Sequence, residues 1–269
     1  HCERGDEYIV GQMAHTYRWE GGGAAVLGSI QPQPLPQGPD GRIEWADIAS
    51  AIKPHDAHFA RTRLLCLENT WGGQVLDAAY VADVTARAHE KGLATHLDGA
   101  RLFNAAVASR RPARDLVQGF DSVSVCFSKG LGTPVGSALC GSREFIARAR
   151  RWRKMTGGGL RQAGILAAAA LHALDHHVQR LSIDHDHARL LAEGLQGLPG
   201  VVVQPPQTNI VFVDLAPEVR QRFAQGVAAA LAARGVLCTG EARLRLVTHL
   251  DVQPEQVAQA IRVLRELLG

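Results

Sequence analysis

Asp98 in "LATHLDGAR" and Lys129 in "SVSVCFSKGLG" are the residues of this chain best placed to do chemistry. Each closes an apolar, strand-like run, and small residues follow each one. An ammonium group held among apolar neighbours loses hydration. Its pKa then falls, and the neutral amine becomes available to condense with a carbonyl group. A carboxylate at a neighbouring strand end has a complementary use. It can ion-pair with the protonated ring nitrogen of an aromatic cofactor and keep that ring an electron sink. The two spacings suit equally well a loop lysine and a helix-capping aspartate, so these residues alone do not decide the matter.

The elements that would carry them alternate. Strands are expected over Tyr8–Gly11, Arg63–Thr70, Leu93–Leu97 and Ser122–Ser128, with a second buried run at Val135, Ala138 and Leu139. Helices are expected over Ile43–Ile52, Ala78–Lys91 (ended by Gly92) and Leu102–Ala108. "QPQPLPQGPDG" reads as a surface connection rich in Pro and Gly, and Ala24–Ile30 as a further apolar piece. Strands alternating with helices at this spacing predict an α/β fold with a largely parallel sheet, in which ligands sit beyond the carboxyl ends of the strands. Thr70, Asp98 and Lys129 all fall at that end.

Beyond the basic run "REFIARARRWRK" and the "MTGGG" break, a long Ala-rich helix covers Leu160–Leu174, and helical sequence continues to Leu195. The tail mixes strands at Val201–Val203, Ile210–Val213, Val236–Cys238 and Leu244–Val247 with helices at Val219–Ala233 and Pro254–Leu268. That pattern predicts a large domain over 1–175 and a smaller C-terminal α+β domain over 176–269.

The 269 residues are 46% hydrophobic and 20% charged with a net charge of +3, too weakly basic to point to a nucleic-acid partner. No apolar run approaches the length of a membrane span, so no membrane partner is expected. Five cysteines with no CxxC pair suit reduced thiols in a cytoplasmic protein. No convincing metal site is present. His176, His177, His185 and His187 fall in a polar helical region and read as a solvated helix face.

The wording around the two residues is more specific. "HLDGARLFNA", "CFSKGLGTPVGS", "RWRKMTGGGLRQAGILAAA" and "RLVTHLD" occur in this order and together resemble the low-specificity L-threonine aldolases. These are fold-type I pyridoxal-phosphate enzymes of the aspartate aminotransferase superfamily. The resemblance implies aldol cleavage of L-threonine or L-allo-threonine to glycine and acetaldehyde. It also implies a small β-hydroxy-α-amino acid substrate and a homotetramer with sites at subunit interfaces. By it, Lys129 is the lysine that forms the Schiff base with the cofactor, and Asp98 faces the pyridine nitrogen. Arg101 and Arg245 bind the substrate carboxylate. His15 stacks on the cofactor ring, and His58 lies near the substrate's β-hydroxyl. Either histidine is a candidate general base, with an ordered water as a further option. Lys154 and Arg161, flanking the "MTGGG" turn, are expected to anchor phosphate. Glu68 and Asn69 close a strand beside the site and are expected to support it.

The family also carries, ahead of the stretch matched here, a small-residue loop that cradles the cofactor phosphate and a serine that contacts the substrate carboxylate. Neither has a match in these 269 residues, and "GGGAAV" corresponds to a different segment. Taken alone, these residues are expected to hold the cofactor weakly and to be poorly soluble. Two alternatives stand beside the aldolase reading: a β-eliminating lyase of the same fold type, and a catalytically incompetent, truncated remnant.

Overall fold

The computed structural model describes residues 1–269. Six strands form one sheet: β1 (Asp6–Gly11), β2 (Gln31–Leu35), β3 (Arg61–Glu68), β4 (Ala94–Gly99), β5 (Ser122–Cys126) and β6 (Ser137–Gly141). Their order is β2-β1-β3-β4-β5-β6, and every pairing is parallel except β5 with β6. A second sheet of three antiparallel strands contains β7 (Val201–Val203), β8 (Ile210–Leu215) and β9 (Arg243–Val247).

Helices fill the crossovers, as parallel pairing demands. Between β1 and β2 lie α1 (His15–Arg18) and α2 (Gly23–Gly28), between β2 and β3 lies α3 (Trp45–Ala51), and α4 (Ala78–Glu90) follows β3. Between β4 and β5 come α5 (Leu102–Ser109) and α6 (Ala113–Leu116). The sheets are joined through α7 (Arg143–Met155), α8 (Gly164–His176) and α9 (Leu181–Gly194). The second sheet keeps α10 (Pro217–Arg220), α11 (Val227–Ala232) and α12 (Pro254–Leu268). The architecture is the expected one: a mostly parallel α/β unit with a smaller α+β unit.

Local chemistry sets the main boundaries. Asp77 caps α4 by accepting from the Tyr80 N–H at 2.8 Å, and Gly92, at φ +75°, ends its last turn. Pro254 opens α12, where Gln253 and Gln256 satisfy each other's backbone in a capping box. Each sheet has its own apolar core. Ile9, Leu65, Leu97 and Val123 from the strands meet Ile48, Val84 and Ala105 from the helices. In the smaller unit Val211, Val213, Leu244 and Leu246 meet Leu195, Leu231 and Leu264.

Several expectations are corrected. The Pro-rich stretch is not a plain connection, because Gln31–Leu35 pairs with β1 as an edge strand. Pro32 and Pro34 are two residues apart, so both absent N–H groups face one way, and an edge strand leaves that side unpaired. The apolar piece after Gly23 is helical, since a run so short carries no distinguishing period. β6 is largely exposed, as an edge strand, with Leu139 41% accessible. Gly226, at φ +88°, separates α10 from α11 where one helix was expected, and Val236–Cys238 is not a strand. His185 and His187 are buried, not solvated, because α9 packs between α5 and α12.

Candidate active site

Parallel strands aim their carboxyl ends at one edge of the sheet, and the register brings Glu68, Asp98 and Ser124 into one row there. Asp98 Oδ1 accepts from the Ala100 N–H at 3.0 Å, and the Asp98 carbonyl accepts from the Asn69 N–H at 2.9 Å. Gly99 lets β4 and β5 approach: a Cβ there would stand 2.7 Å from the Ser124 carbonyl oxygen.

Lys129 lies three residues past β5. Its carbonyl accepts from the Gly132 N–H at 2.8 Å, which closes the turn beneath it. Gly130 is small for the sake of the neighbouring helices: a Cβ there would meet Leu181 at 2.7 Å and Asn104 Oδ1 at 3.3 Å. The only lysine ion-paired in the chain is Lys53, with Glu7, so the Lys129 amine is left without a carboxylate.

Arg101 sits at the N-cap position of α5, three residues after Asp98, and Arg245 lies opposite Phe212 on β9. The loop after β3 packs on β8, where a Cβ on Gly72 would touch Phe212 at 3.5 Å. The smaller sheet thereby carries Arg245 to the carboxyl edge of the larger one. Burial and then the neighbouring Arg245 guanidinium pull the Arg101 pKa down, and burial does the same for Arg245. Glu68 and Asp98 lie near Arg101, but neither arginine forms an ion pair with a carboxylate. Two adjacent, half-buried guanidinium groups with no ion-pair partner can receive an anion.

Glu68 gains importance over its expected supporting part. Burial pushes its carboxyl up to about 7 and Asp98 adds to the rise, opposed by the hydrogen bond from the His15 N–H and by Arg101 and Lys129. That bond is 2.9 Å long and brings the start of α1 to the same edge. The His15 ring is fixed by Glu20, with Nδ1 2.9 Å from Oε1. The visible signal for Glu68 was its place at the end of an apolar strand.

Within this chain Lys129, Asp98, Arg101, Arg245 and His15 come together. His58 does not. It lies three residues before β3, exposed and held by Asp56 at 2.7 Å. The eight residues of β3 separate it from the Glu68 end by about 23 Å. Its placement near the substrate hydroxyl is therefore corrected for a single chain, because strand direction sends it to the opposite edge. Lys154, in the last turn of α7, and Arg161, just beyond, are exposed and bonded to none of the five. A cleft of about 950 Å³ lies between α7 and the starts of β1 and β3 and contains none of the five either. The site is thus defined by its side-chain chemistry and not by that cleft.

The donor set suits pyridoxal phosphate and an amino-acid substrate: a free amine, a carboxylate in the next strand and an anion-binding arginine pair. The buried Thr70 Oγ1, two residues after Glu68, has no hydrogen-bond partner and offers one more polar contact there. No group of His, Cys, Asp and Glu is assembled that could hold a metal ion.

The family model described as Beta-eliminating lyase matches residues 1–218. The chain belongs to this pyridoxal-phosphate-dependent family. Among its relatives are low-specificity L-threonine aldolases. That of Escherichia coli K12 is 51% identical over 269 residues, all of this chain and 79% of its own length. Aldolase 1 of Arabidopsis thaliana is 40% identical over 267 residues, 96% of this chain and 74% of its own. The fold agrees with solved structures. Leishmania major threonine aldolase superposes with a TM-score of 0.80 at 23% identity, covering 98% of this chain and 78% of that one. A PLP-dependent aminotransferase of Streptococcus suis gives 0.76 at 16%, covering 99% and 71%.

Proposed function

We propose that this chain is a pyridoxal-phosphate-dependent aldolase that cleaves L-threonine and L-allo-threonine to glycine and acetaldehyde. The observation that carries the reading is the meeting of Lys129 and Asp98 with the Arg101–Arg245 pair. It occurs in a chain 51% identical, over its whole length, to a named aldolase.

Arg101 and Arg245 grip the substrate carboxylate from two sides, and the planar guanidinium groups fix its orientation. Held so, the Cα–Cβ bond is set for cleavage without further ordering. Lys129 would attach the cofactor, Asp98 would face its ring nitrogen and His15 its ring. When bound, the cofactor supplies a carbonyl carbon for the amino group and a ring that accepts the bonding electron pair. His15 serves as the base for the β-hydroxyl proton. Its Nδ1 is held by Glu20, which leaves Nε2 to accept.

Oligomerisation belongs to the same proposal. Trp152, Met155, Leu160 and Ile165 expose between 56% and 81% of their surface around α7 and α8, the kind of apolar patch that subunit contacts cover. We place the protein in the cytoplasm as a homotetramer, with His58, Lys154 and Arg161 meeting the site of a neighbouring copy. Five free cysteines fit that compartment.

The test is product analysis with added pyridoxal phosphate. Acetaldehyde from L-threonine, with no pyruvate from L-serine, supports the aldolase. Pyruvate without acetaldehyde supports the β-eliminating alternative, and neither product supports the remnant.

A further inference from the structure

The segment Gln207–Thr208–Asn209, just ahead of β8, is tied to the larger unit at three successive residues. Val75 N–H donates to Gln207 Oε1 at 2.8 Å, Thr208 Oγ1 donates to the Gly73 carbonyl at 2.7 Å, and Asn104 Nδ2 donates to Asn209 Oδ1 at 3.4 Å. Asn209 is locked in turn to the end of β9. Thr248 N–H donates to its carbonyl at 3.0 Å, and its Nδ2 donates to the Thr248 carbonyl at 2.9 Å. Two contacts with α9 complete the set: Thr248 Oγ1 donates to the Asp184 carbonyl at 2.6 Å, and Asn104 Nδ2 faces His185 Nε2 at 3.1 Å. Asn104, Thr208, Asn209 and Thr248 are each no more than 3% exposed.

These ties end beside the functional residues. Asn104 is three residues past Arg101 on α5, Gly73 belongs to the loop that follows Glu68, and Thr248 is three residues past Arg245. Apolar contacts such as Gly72 against Phe212 attract the units but do not fix their register. Buried hydrogen bonds have defined directions and lose much if displaced. We propose that Gln207–Thr208–Asn209 is a positioning segment, setting the separation of Arg245 from Arg101 and so the fit of the carboxylate grip. This rests on the reading that the two arginines hold the substrate carboxylate.

The test measures KM and kcat for L-threonine with the cofactor-loaded protein. Thr208→Val keeps the shape of the side chain but loses the donor to Gly73. It is expected to raise KM about tenfold with kcat within about twofold, while Thr208→Ser restores KM to within about twofold of the wild-type value. The exposed Gln207→Met, which leaves the core intact, is expected to raise KM about threefold. The effect must act through the arginine: on an Arg245→Lys background, Thr208→Val should add less than about twofold. An unchanged KM in Thr208→Val and Gln207→Met overturns the proposal. So does a full multiplication of the effect on the Arg245→Lys background, or a Thr208→Ser variant as impaired as the valine. If Arg245→Lys itself leaves KM unchanged, the carboxylate reading has failed and the proposal falls with it. An effect of Arg245→Lys with none of Thr208→Val leaves that reading standing and removes the positioning claim alone.

Discussion

Glu68 shows what a single buried carboxyl does at the strand edge. Its ordinary pKa of 4.5 rises to about 7 in the folded chain, chiefly through burial. Between those values the folded state holds a proton that the unfolded chain has released. The stability it contributes is present below about pH 4.5 and is lost as pH rises through 7. Glu68→Gln cannot ionise. Urea unfolding of the cofactor-free protein should show the variant gaining on wild type from pH 5 to pH 8 by on the order of 1–3 kcal/mol. A gain independent of pH would contradict this. The arginines answer to a second measurement. Arg101→Ala removes a charged, two-pronged contact and should raise KM for L-threonine by about 100-fold in steady-state assays, whereas an unchanged KM would remove it from the grip. At this scale Lys129 and Asp98 were legible because each ends an apolar run before small residues. The burial of His185 was not, because its polar neighbours in "DHDHA" give no sign that α5 and α12 close over them.

Strand register converts those residues into a site. Glu68 and Asp98 meet because β3 and β4 pair in parallel, and the same direction carries His58 to the far edge. Gly99 makes the close β4–β5 approach possible. A methyl group added in Gly99→Ala would stand 2.7 Å from the Ser124 carbonyl oxygen and 3.2 Å from Val123 Cγ1. The backbone cannot yield cheaply there, so the variant should lose about 2–3 kcal/mol in chemical denaturation, while a loss under about 0.5 kcal/mol would show that the strands part freely. The four parallel strands with apolar centres, β1, β3, β4 and β5, could be read from alternation and from their stops. β2 could not, because two prolines suggest a turn unless the strand lies at an edge, and edge position is a property of the whole sheet.

For the whole molecule, two cores and one shared boundary place Arg245 of the small sheet beside Arg101 of the large one. The order of motifs along the chain made this arrangement legible as a resemblance. Composition and spacing alone left the lysine and the aspartate undecided, since nothing local says which helix or sheet will face them. The apolar surface around α7 and α8 predicts self-association, with light scattering after gel filtration giving four copies and a monomer at micromolar concentration contradicting the homotetramer. The central claim is that one edge of the sheet cleaves a β-hydroxy-α-amino acid through Lys129. The direct measurement is the yield of glycine and acetaldehyde from L-threonine by wild type and by Lys129→Ala, both supplied with pyridoxal phosphate and matched for thermal stability. The account predicts equal amounts of the two products from wild type and none above background from the variant. Undiminished, equimolar products from Lys129→Ala would contradict it.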